Sequence, residues 1–312
     1  MAIGWLAAVG GSLAVAGGAH AAFPGANGKI VYLRVDAQAE RSALIAQSPR
    51  GGARTVLRRS SAAVPACFGA AAYSPNGASL AMDACDRLAT MSSDGSAFLE
   101  LPLFSQKERE TGLYYASDDD PAWSPDGTQL VFTSRSGYDD GFQPYESRGL
   151  AVMNSDGSSP RVLTGMGVGT AQWSSRGVIA FSEASQRGSA IWTVHPDGSG
   201  RRLLLRGAGQ PEWSPDGRRI AFVRGGRGGA PFRTIDARIY VARANGKGVR
   251  HVVRGLYPAW SPNGKRLAFV QGNPRGDRVI WSLYTIRLDG SDRRLLARSA
   301  DELLTPDWQP LP

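Results

Sequence analysis

Trp213-Ser-Pro-Asp-Gly-Arg-Arg-Ile-Ala-Phe222 contains the pattern that decides the fold: an aromatic residue, a four-residue turn and a short apolar run. In the turn, Pro presets φ, Asp tolerates a tight backbone, and Gly supplies the positive φ that lets the next run pair back. The segment therefore predicts a β-hairpin. The pattern recurs, in whole or in part, at Asn27-Gly28, Tyr73–Gly77, Trp123–Gly127, Trp173–Gly177, Trp213–Gly217 and Trp260–Gly264.

The spacing of the repeats indicates the architecture. From Tyr73 to Trp308, successive aromatic residues that open a repeat are 50, 50, 40, 47 and 48 residues apart, which is typical of a propeller blade rather than a helical repeat. Each unit continues with a third β-rich run, a second Asx-Gly turn and an Arg-rich fourth run. The chain is therefore predicted to be all-β, a six-bladed β-propeller of four-stranded antiparallel blades, with repeat turns near residues 27, 76, 126, 176, 216 and 263.

The two ends of the repeat region each carry half of a repeat. The N-terminal half supplies the strand after the turn, Lys29–Tyr32, and the C-terminal half supplies the strand before it, Thr305–Trp308. Pairing the C-terminal strand with the N-terminal blade would complete that blade and close the ring. Closure also removes an open sheet edge, which invites aggregation. Residues 22–312 are therefore predicted to form one closed propeller.

The Ser-Pro-Asp-Gly repeat, with its preceding Trp and following Ile-Ala-Phe, resembles the repeat of TolB-like β-propeller proteins over nearly all of residues 22–312. The resemblance implies a propeller fold. Its implication for function is broad, because propellers with this repeat serve as binding domains, as covers on peptidases and as sugar-active enzymes. TolB itself carries an α/β domain before its propeller and partners a peptidoglycan-associated lipoprotein. In this sequence Phe23 enters the first blade directly, without that domain.

Residues 1–21 are of a different kind. They are apolar, rich in Ala and Gly, and end in Ala19-His20-Ala21, which matches the small-residue cleavage site of a secretory signal peptide. The absence of Cys at the cleavage point argues against a lipid anchor, and no other apolar run reaches the roughly 18 residues of a membrane span. The mature chain is predicted to be a soluble monomer in the periplasm or outside the cell, without a transmembrane segment.

The two cysteines, Cys67 and Cys85, flank the Tyr73 hairpin and are centred on its turn at Asn76. Paired strands would bring them face to face, and an oxidising compartment favours a disulfide between them. The alternative is a pair of buried thiols. No metal site is predicted, since two cysteines without nearby histidines cannot make a tetrahedral shell.

The chain is basic, with 36 Lys and Arg, 27 Asp and Glu and a net charge of +9. Such a charge is compatible with a polyanionic partner. It is also explained by twelve arginines on or beside the predicted outer strands, where charge blocks edge-to-edge pairing. Export and the lack of an aromatic-and-basic motif argue against nucleic acid. The twelve are Arg54, Arg58, Arg59, Arg161, Arg201, Arg202, Arg206, Arg250, Arg254, Arg293, Arg294 and Arg298.

No catalytic motif is present. The sequence has no Gly-x-Ser-x-Gly elbow, no His-Glu-x-x-His and no phosphate-binding glycine loop. His195 and His251, the two histidines outside the signal segment, have no evident catalytic partner. No residue is therefore assigned a catalytic role.

The alternating strand direction predicts where recognition occurs. The first and third connections of each blade share one face and are tight Asx-Gly turns, so the longer connections, at 105–120, 135–148, 224–236 and 272–278, must crowd the opposite face. Aromatic residues there suit a binding surface, and the charged ones would set selectivity. The candidate binding residues are Asp118, Asp119, Asp120, Tyr138, Asp139, Asp140, Phe142, Tyr145, Arg233 and Arg275.

Taken together, these features predict an exported binding or scaffold module of the cell envelope that recognises a protein or peptide on its long-loop face. The alternative is a carboxylate-based enzyme acting on glycans or esters. Asp118, Asp119 and Asp120 precede the innermost strand of their blade, near the mouth of the central channel, where an oxygen-rich cluster could hold Ca²⁺. The simpler interpretation is solvated loop carboxylates that cap the strand. No other cofactor is expected.

Overall fold

The computed structural model describes residues 22–36, 39, 41–60, 68–104, 113–139, 145–165, 168–185, 188–225 and 236–312. In these ranges the chain forms six sheets of four strands each, and every neighbouring pair of strands is antiparallel. The first strands of the six sheets contact one another in a closed circle, β24 with β4, β4 with β8, and onward to β20 and β24. The prediction of a six-bladed, all-β propeller is confirmed.

Each of blades 1 to 3 has an inner strand at the centre of the ring and an outer strand at its rim. From the inner strand outward, blade 1 comprises β24 (Glu302–Leu311), β1 (Ala26–Asp36), β2 (Arg41–Gln47) and β3 (Arg54–Arg59). Blade 2 comprises β4 (Phe68–Tyr73), β5 (Ser79–Ala84), β6 (Arg87–Ser92) and β7 (Leu99–Glu100). Blade 3 comprises β8 (Leu113–Trp123), β9 (Gln129–Asp139), β10 (Tyr145–Asn154) and β11 (Arg161–Gly165).

Blades 4 to 6 have the same order. Blade 4 comprises β12 (Val168–Trp173), β13 (Ile179–Ser185), β14 (Gly188–Val194) and β15 (Arg202–Arg206). Blade 5 comprises β16 (Gly209–Trp213), β17 (Arg219–Arg224), β18 (Arg238–Arg243) and β19 (Arg250–Arg254). Blade 6 comprises β20 (Leu256–Trp260), β21 (Arg266–Arg275), β22 (Arg278–Arg287) and β23 (Arg294–Ser299).

The repeat turn has the chemistry that its sequence predicts. In blade 3, the Gly127 N–H donates to the Ser124 carbonyl at 3.0 Å, and Gly127 has a φ of 72°. The Ser124 hydroxyl donates to Asp126 Oδ1 at 2.6 Å, and the same oxygen accepts the Thr128 N–H at 3.0 Å. Serine and aspartate thus satisfy the hydrogen-bonding groups of the turn from within it, which explains why the turn can recur with little dependence on its surroundings.

The C-terminal strand closes the ring. β24 pairs with β1, with Trp308 opposite Ile30 and Leu304 opposite Leu33. It also contacts blade 2, because Gln309 Nε2 donates to the Gly77 carbonyl at 2.8 Å. A Cβ at Gly77 would lie 1.9 Å from the Pro310 carbonyl oxygen, so this contact requires glycine.

Tryptophans join consecutive blades. The Trp123 indole N–H donates to the Ala72 carbonyl of blade 2 at 3.0 Å, and the Trp260 indole donates to the Glu212 carbonyl of blade 5 at 3.0 Å. The aromatic residues on the second strands, such as Phe132 and Phe269, are fully buried. Each repeat therefore buries its aromatic pair against a neighbour rather than within one blade.

The outer strands carry the predicted arginines. Several of these guanidinium groups cover an aromatic ring: Arg58 lies 3.8 Å from the centre of Phe98, Arg201 4.4 Å from Trp192, and Arg293 3.7 Å from Tyr284. Part of the positive charge of the protein thus has a structural role, since arginine shields the apolar outer sheet while keeping its charge in water.

In three of the predicted long loops, the residues that the structure describes belong largely to paired strands. The stretch 105–120 was predicted to be a loop, but from Leu113 onward it belongs to β8. The predicted loop 135–148 is largely the β9–β10 hairpin, in which Tyr138 pairs with Tyr145. The predicted loop 272–278 is a tight hairpin, in which Arg275 pairs with Arg278. In all three, backbone pairing continues past the point where polar residues begin, because a polar side chain on a paired strand can still face solvent.

Other predictions fall on residues that the structure does not describe. The signal segment 1–21, Cys67 and loop residues 226–235 lie outside the described ranges. Cys85 is not a free cysteine, and its pairing with Cys67 remains a prediction. In the part of the chain that is described, no helix is long and apolar enough to cross a membrane.

Candidate functional site

The two faces of the ring differ in what they present. We call the side with the Ser-Pro-Asx-Gly and Asx-Gly turns the turn face, and the other side the long-connection face. Near the long-connection face, the two innermost strands of blade 3 and the second strand of blade 2 bring together a group of charged residues, which we call the carboxylate cluster: Asp83, Asp118, Asp119, Asp120 and Arg135. These residues come from β5, β8 and β9.

Asp83 ties the two blades together. Its Oδ2 accepts the Ala70 N–H of its own blade at 2.9 Å, and its Oδ1 accepts the Asp120 N–H of blade 3 at 2.7 Å. The fit is tight, since a Cβ added at Gly69 would lie 2.0 Å from Asp83 Oδ2. Both carboxylate oxygens therefore serve backbone donors across the blade interface.

Asp118 is equally enclosed, with an exposed fraction of 1%. Its Oδ2 accepts the Phe104 N–H at 2.7 Å, while its Oδ1 has no hydrogen-bond partner among the described residues. Its backbone N–H donates to the Asp86 carbonyl at 2.9 Å, which joins β8 to the β5–β6 connection. The prediction that Asp118 and Asp120 are solvated loop carboxylates is wrong, because both lie on β8 and are buried.

Asp119 is the more accessible member, with 19% of its side chain exposed. Its Oδ2 lies 3.1 Å from Arg135 Nε and accepts the Ser117 hydroxyl at 3.0 Å. Arg135 is the basic residue of the carboxylate cluster. The four aspartates of the cluster therefore outnumber its one arginine.

A β-bulge positions these side chains. The register of β8 against β9 shifts between Asp119 and Ala122, and Asp120 has a φ of 57°. Asp tolerates this left-handed conformation better than most residues. The equivalent inner-strand positions Gln210, Tyr257 and Thr305 also have positive φ. The backbone conformation is therefore shared by several blades, whereas the aspartate at this position is specific to blade 3.

The structure describes some of the remaining predicted site residues. Tyr138, Asp139 and Tyr145 are placed by their backbones at the tip of the β9–β10 hairpin, next to the start of β8, where Tyr138 pairs with Tyr114 and Tyr145. Asp140, Phe142 and Arg233 lie outside the described residues. Arg275 is exposed at the end of β21 in blade 6, whereas the cluster lies in blades 2 and 3, so the structure does not bring it together with the others.

A second set of buried acceptors joins blades elsewhere in the ring. Asp307 Oδ2 accepts the Tyr73 N–H at 2.8 Å, and Glu212 Oε1 accepts the Trp260 N–H at 3.3 Å. Gln172 accepts the Trp213 N–H and donates to Glu212. All three acceptors stand directly before the tryptophan of their own repeat. Sequence reasoning missed them, although a polar residue at this position was a readable signal.

Burial dominates the electrostatics of these groups. It raises the pKa of Asp83 to about 8, with a further increase from the charge of Asp119. Burial also raises the pKa of Asp118 to about 6, against the hydrogen bonds from Phe104 and Ser134. Burial raises the pKa of Asp307 to about 8 in the same way. A carboxyl removed from water disfavours its charged form, which explains the common direction.

These shifts predict a pH-dependent stability. A carboxyl whose pKa is raised on folding stabilises the protein below its unfolded pKa, and this contribution is lost as the pH rises through the folded value. The free energy of unfolding, measured with urea, should therefore fall from about pH 4, near the unfolded pKa of Asp, to about pH 8, the folded value of Asp83 and Asp307. Asp307→Asn keeps an acceptor for the Tyr73 N–H and should flatten the profile, with a gain of about 2 kcal/mol over wild type at the alkaline end. A profile that rises with pH, or an identical profile in the variant, would contradict this assignment.

Within the described residues, no group of three or more His, Cys, Asp or Glu side chains is arranged to hold a metal ion. Calcium binding by Asp118–Asp120 therefore stays a prediction. The chemistry that the described cluster supports directly is recognition of a positively charged group by carboxylates that the backbone already holds in place.

Comparisons with known proteins identify the fold. No protein-family profile matches the sequence. No curated protein matches it either. The structure is similar to that of TolB from Acinetobacter baumannii, with a TM-score of 0.66 and 17% identity over 91% of this chain and 67% of that chain. It is also similar to a structure described as TolB from Agrobacterium tumefaciens, with a TM-score of 0.60 and 17% identity over 91% and 99% of the two chains. A chain of a nidogen–laminin complex gives a TM-score of 0.59 and 13% identity over 90% and 98%. The chain thus has a TolB-like six-bladed propeller.

Proposed function

We propose that this propeller is a binding module of the cell envelope that recognises a protein or peptide segment on its long-connection face, with a basic side chain of the partner seated at the carboxylate cluster. The observation that carries the proposal is the gathering of four aspartates around one arginine on β5, β8 and β9, at the junction of blades 2 and 3. Asp83, whose pKa is raised to about 8, is largely uncharged at neutral pH, so the attraction for Lys or Arg comes from the other carboxylates of the cluster, of which Asp119 is the most accessible.

The rigidity of the site favours binding. Backbone N–H groups of Ala70, Phe104 and Asp120 hold two of the carboxylates, so the cluster need not order itself when a partner arrives. Preorganised groups lose little conformational entropy on association, which improves affinity without new contacts. The predicted aromatic residues Tyr138, Phe142 and Tyr145 would supply apolar contacts beside the charged centre.

Fold similarity is consistent with this function. The TolB structures have propellers of this architecture, and the nidogen–laminin structure is a complex between proteins. The placement in the envelope rests on the predicted signal peptide at residues 1–21 and on the predicted Cys67–Cys85 disulfide, which an oxidising compartment would favour.

The enzyme alternative has one observation in its favour. A buried Asp83 whose pKa is raised to about 8 beside Asp119 resembles the paired carboxylates of acid–base catalysis. Both oxygens of Asp83, however, accept backbone N–H groups across the blade interface, so neither is free to exchange a proton with a substrate. Asp83 therefore acts in the blade interface, and binding is the better supported function.

The test begins with a peptide library displayed on phage and selected on the protein that starts at residue 22. We expect enrichment of peptides with Arg or Lys, and an affinity loss of about tenfold or more, about 1.4 kcal/mol, for Asp118→Asn combined with Asp119→Asn. The matched control is Asp94→Asn combined with Asp156→Asn, because both are exposed turn-face aspartates and the change in charge is the same.

Three outcomes would contradict the proposal. The first is enrichment of peptides without basic residues. The second is unchanged affinity in the cluster variant. The third is an equal loss in the control, which would indicate a general charge effect. Release of product from a wall polysaccharide or an ester, abolished by Asp83→Asn, would favour the enzyme instead.

A further inference from the structure

A second charged site lies on the opposite side of the ring, on the turn face between blades 4 and 5. It is a solvent-open cavity of about 560 Å³, and its lining includes Arg176, Arg218, Arg219, Arg243 and Asp216. Four arginines in the lining of one cavity are not explained by the edge protection that the outer-strand arginines provide, because none of these four lies on an outer strand.

The repeat itself brings these arginines together. Arg176 occupies the Asx position of the blade 4 turn, where the other repeats have Asp or Asn. Arg218 and Arg219 directly follow the turn glycine of blade 5, and Arg243 ends β18 of the same blade. Equivalent turns of neighbouring blades lie side by side in a propeller, so these substitutions meet at one blade junction.

Two of the guanidinium groups are held in position by uncharged partners. Arg176 Nε donates to the Asp216 carbonyl at 3.0 Å, across the junction between the two blades. Arg219 lies 4.9 Å from the centre of the Trp260 ring, and its Nη2 donates to the Gly264 carbonyl at 3.4 Å. Neither contact neutralises the positive charge.

The other two, Arg218 and Arg243, are exposed. Among the residues that the structure describes, no ion pair to a carboxylate is found for any of the four arginines of the cavity. Their charges are therefore available to a ligand.

The single carboxylate in the lining is already committed to the turn. Asp216 Oδ1 accepts the Ser214 hydroxyl at 2.6 Å and the Arg218 N–H at 3.1 Å. Burial opposes the charged form of Asp216, but these hydrogen bonds and the nearby arginines outweigh it and lower its pKa. The cavity thus has a persistent excess of positive charge.

The positive charge continues around one side of the turn face. The residue after the turn glycine is Arg218 in blade 5, Lys265 in blade 6 and Lys29 in blade 1, whereas it is Ala78 in blade 2 and Thr128 in blade 3. Together with Arg176 of blade 4, these basic residues form what we call the basic arc of the turn face, over blades 4, 5, 6 and 1, between which the second turns place Asp197 and Asp289.

We propose that the cavity between blades 4 and 5 binds a phosphate group, and that the basic arc accepts further anionic groups of the same ligand. A phosphate monoester carries a charge of about −1.5 to −2 and three acceptor oxygens, which suits a cavity lined by several arginines better than a single carboxylate ligand does. Arginine is also suited to bidentate contacts with phosphate. This site lies on the face opposite the carboxylate cluster and does not depend on the proposed peptide recognition.

The experiment measures binding of inorganic tripolyphosphate, and of inorganic phosphate, to the protein that starts at residue 22 by calorimetry at about 0.15 M salt. Arg218→Ala combined with Arg243→Ala should weaken tripolyphosphate binding by about tenfold or more. The control is Arg206→Ala combined with Arg238→Ala, which removes two exposed arginines at the far ends of β15 and β18. This control should bind like wild type, and the melting temperatures should show that both variants are folded.

Each other outcome overturns the proposal. Absence of tripolyphosphate binding by the wild type rejects the site, and unchanged affinity in Arg218→Ala with Arg243→Ala rejects its location. An equal loss in both variants indicates attraction by net charge alone. Tighter binding of polyglutamate than of tripolyphosphate at equal charge rejects phosphate in favour of carboxylate ligands. Peptide binding by the variant with Asp118→Asn and Asp119→Asn is measured separately, so the failure of one proposal does not imply the failure of the other.

Discussion

A chain that ends at Glu302 is expected to lose the cooperative unfolding transition of the complete propeller. Deletion of residues 303–312 removes nearly all of β24, the inner strand of blade 1, and exposes the paired edge of β1. It also removes the Asp307 and Gln309 contacts to blade 2. The point variant Trp308→Ala, at a side chain that is 2% exposed, should lower the free energy of unfolding by about 3 to 5 kcal/mol.

Leu311→Ala is the matched control for this prediction, because Leu311 lies on the same strand and is 38% exposed. Its effect should be within about 0.5 kcal/mol of wild type in the same urea titration. A truncated protein that melts at the wild-type temperature would show that the ring does not depend on its C-terminal strand.

Asp83→Ala should destabilise the junction of blades 2 and 3. The change leaves the buried N–H groups of Ala70 and Asp120 without their acceptors, and an unsatisfied buried donor costs about 1 to 3 kcal/mol. Because relief of the buried carboxylate offsets part of this loss, we expect a decrease in the free energy of unfolding of about 2 to 4 kcal/mol at neutral pH.

Asp86→Ala is the control for Asp83, since Asp86 lies three residues further along, in the β5–β6 connection, and its side chain is 49% exposed in an ion pair with Arg87. Exposed pairs contribute little, so this variant should stay within about 1 kcal/mol of wild type. Asp83→Asn keeps one acceptor and should fall between the two. Equal stability of the two alanine variants would mean that Asp83 does not join the blades.

The fold could be predicted because its determinants are local and repeated. The hydrogen-bonding groups of the Ser124–Asp126–Gly127 turn are satisfied within the turn itself, so each copy predicts a hairpin independently of its surroundings. The period of the tryptophans then supplies the number of blades, and the half-repeats at Asn27 and Trp308 supply the closure.

The candidate site was predicted less well, because it depends on contacts between blades. Asp118–Asp120 were identified as candidate residues, but a run of three aspartates suggested a solvated loop. The groups that pair with these carboxylates on the strand are distant in sequence or on another strand. The Phe104 N–H and Arg135 are examples. Asp83 went unnoticed for the same reason, since its partner Asp120 is 37 residues away on another blade.

The lengths of the long loops were predicted less well, because strand pairing continues beyond the core of each blade. The stretches around Arg135 and Arg275 looked like loops because Gly, Ser and charged residues interrupt the apolar alternation. In the structure these residues remain paired, as Arg135 with Arg148 and Arg275 with Arg278. A solvated two-stranded extension needs no apolar face, so sequence polarity does not mark its start.

The central claim is that a partner binds at the carboxylate cluster on the long-connection face. The most direct test is a crystal structure of the protein in complex with a peptide from the phage selection. We expect a basic side chain of the peptide within about 4 Å of Asp119, the accessible carboxylate of the cluster. A peptide seated on the turn face, or along the outer strands, would contradict it.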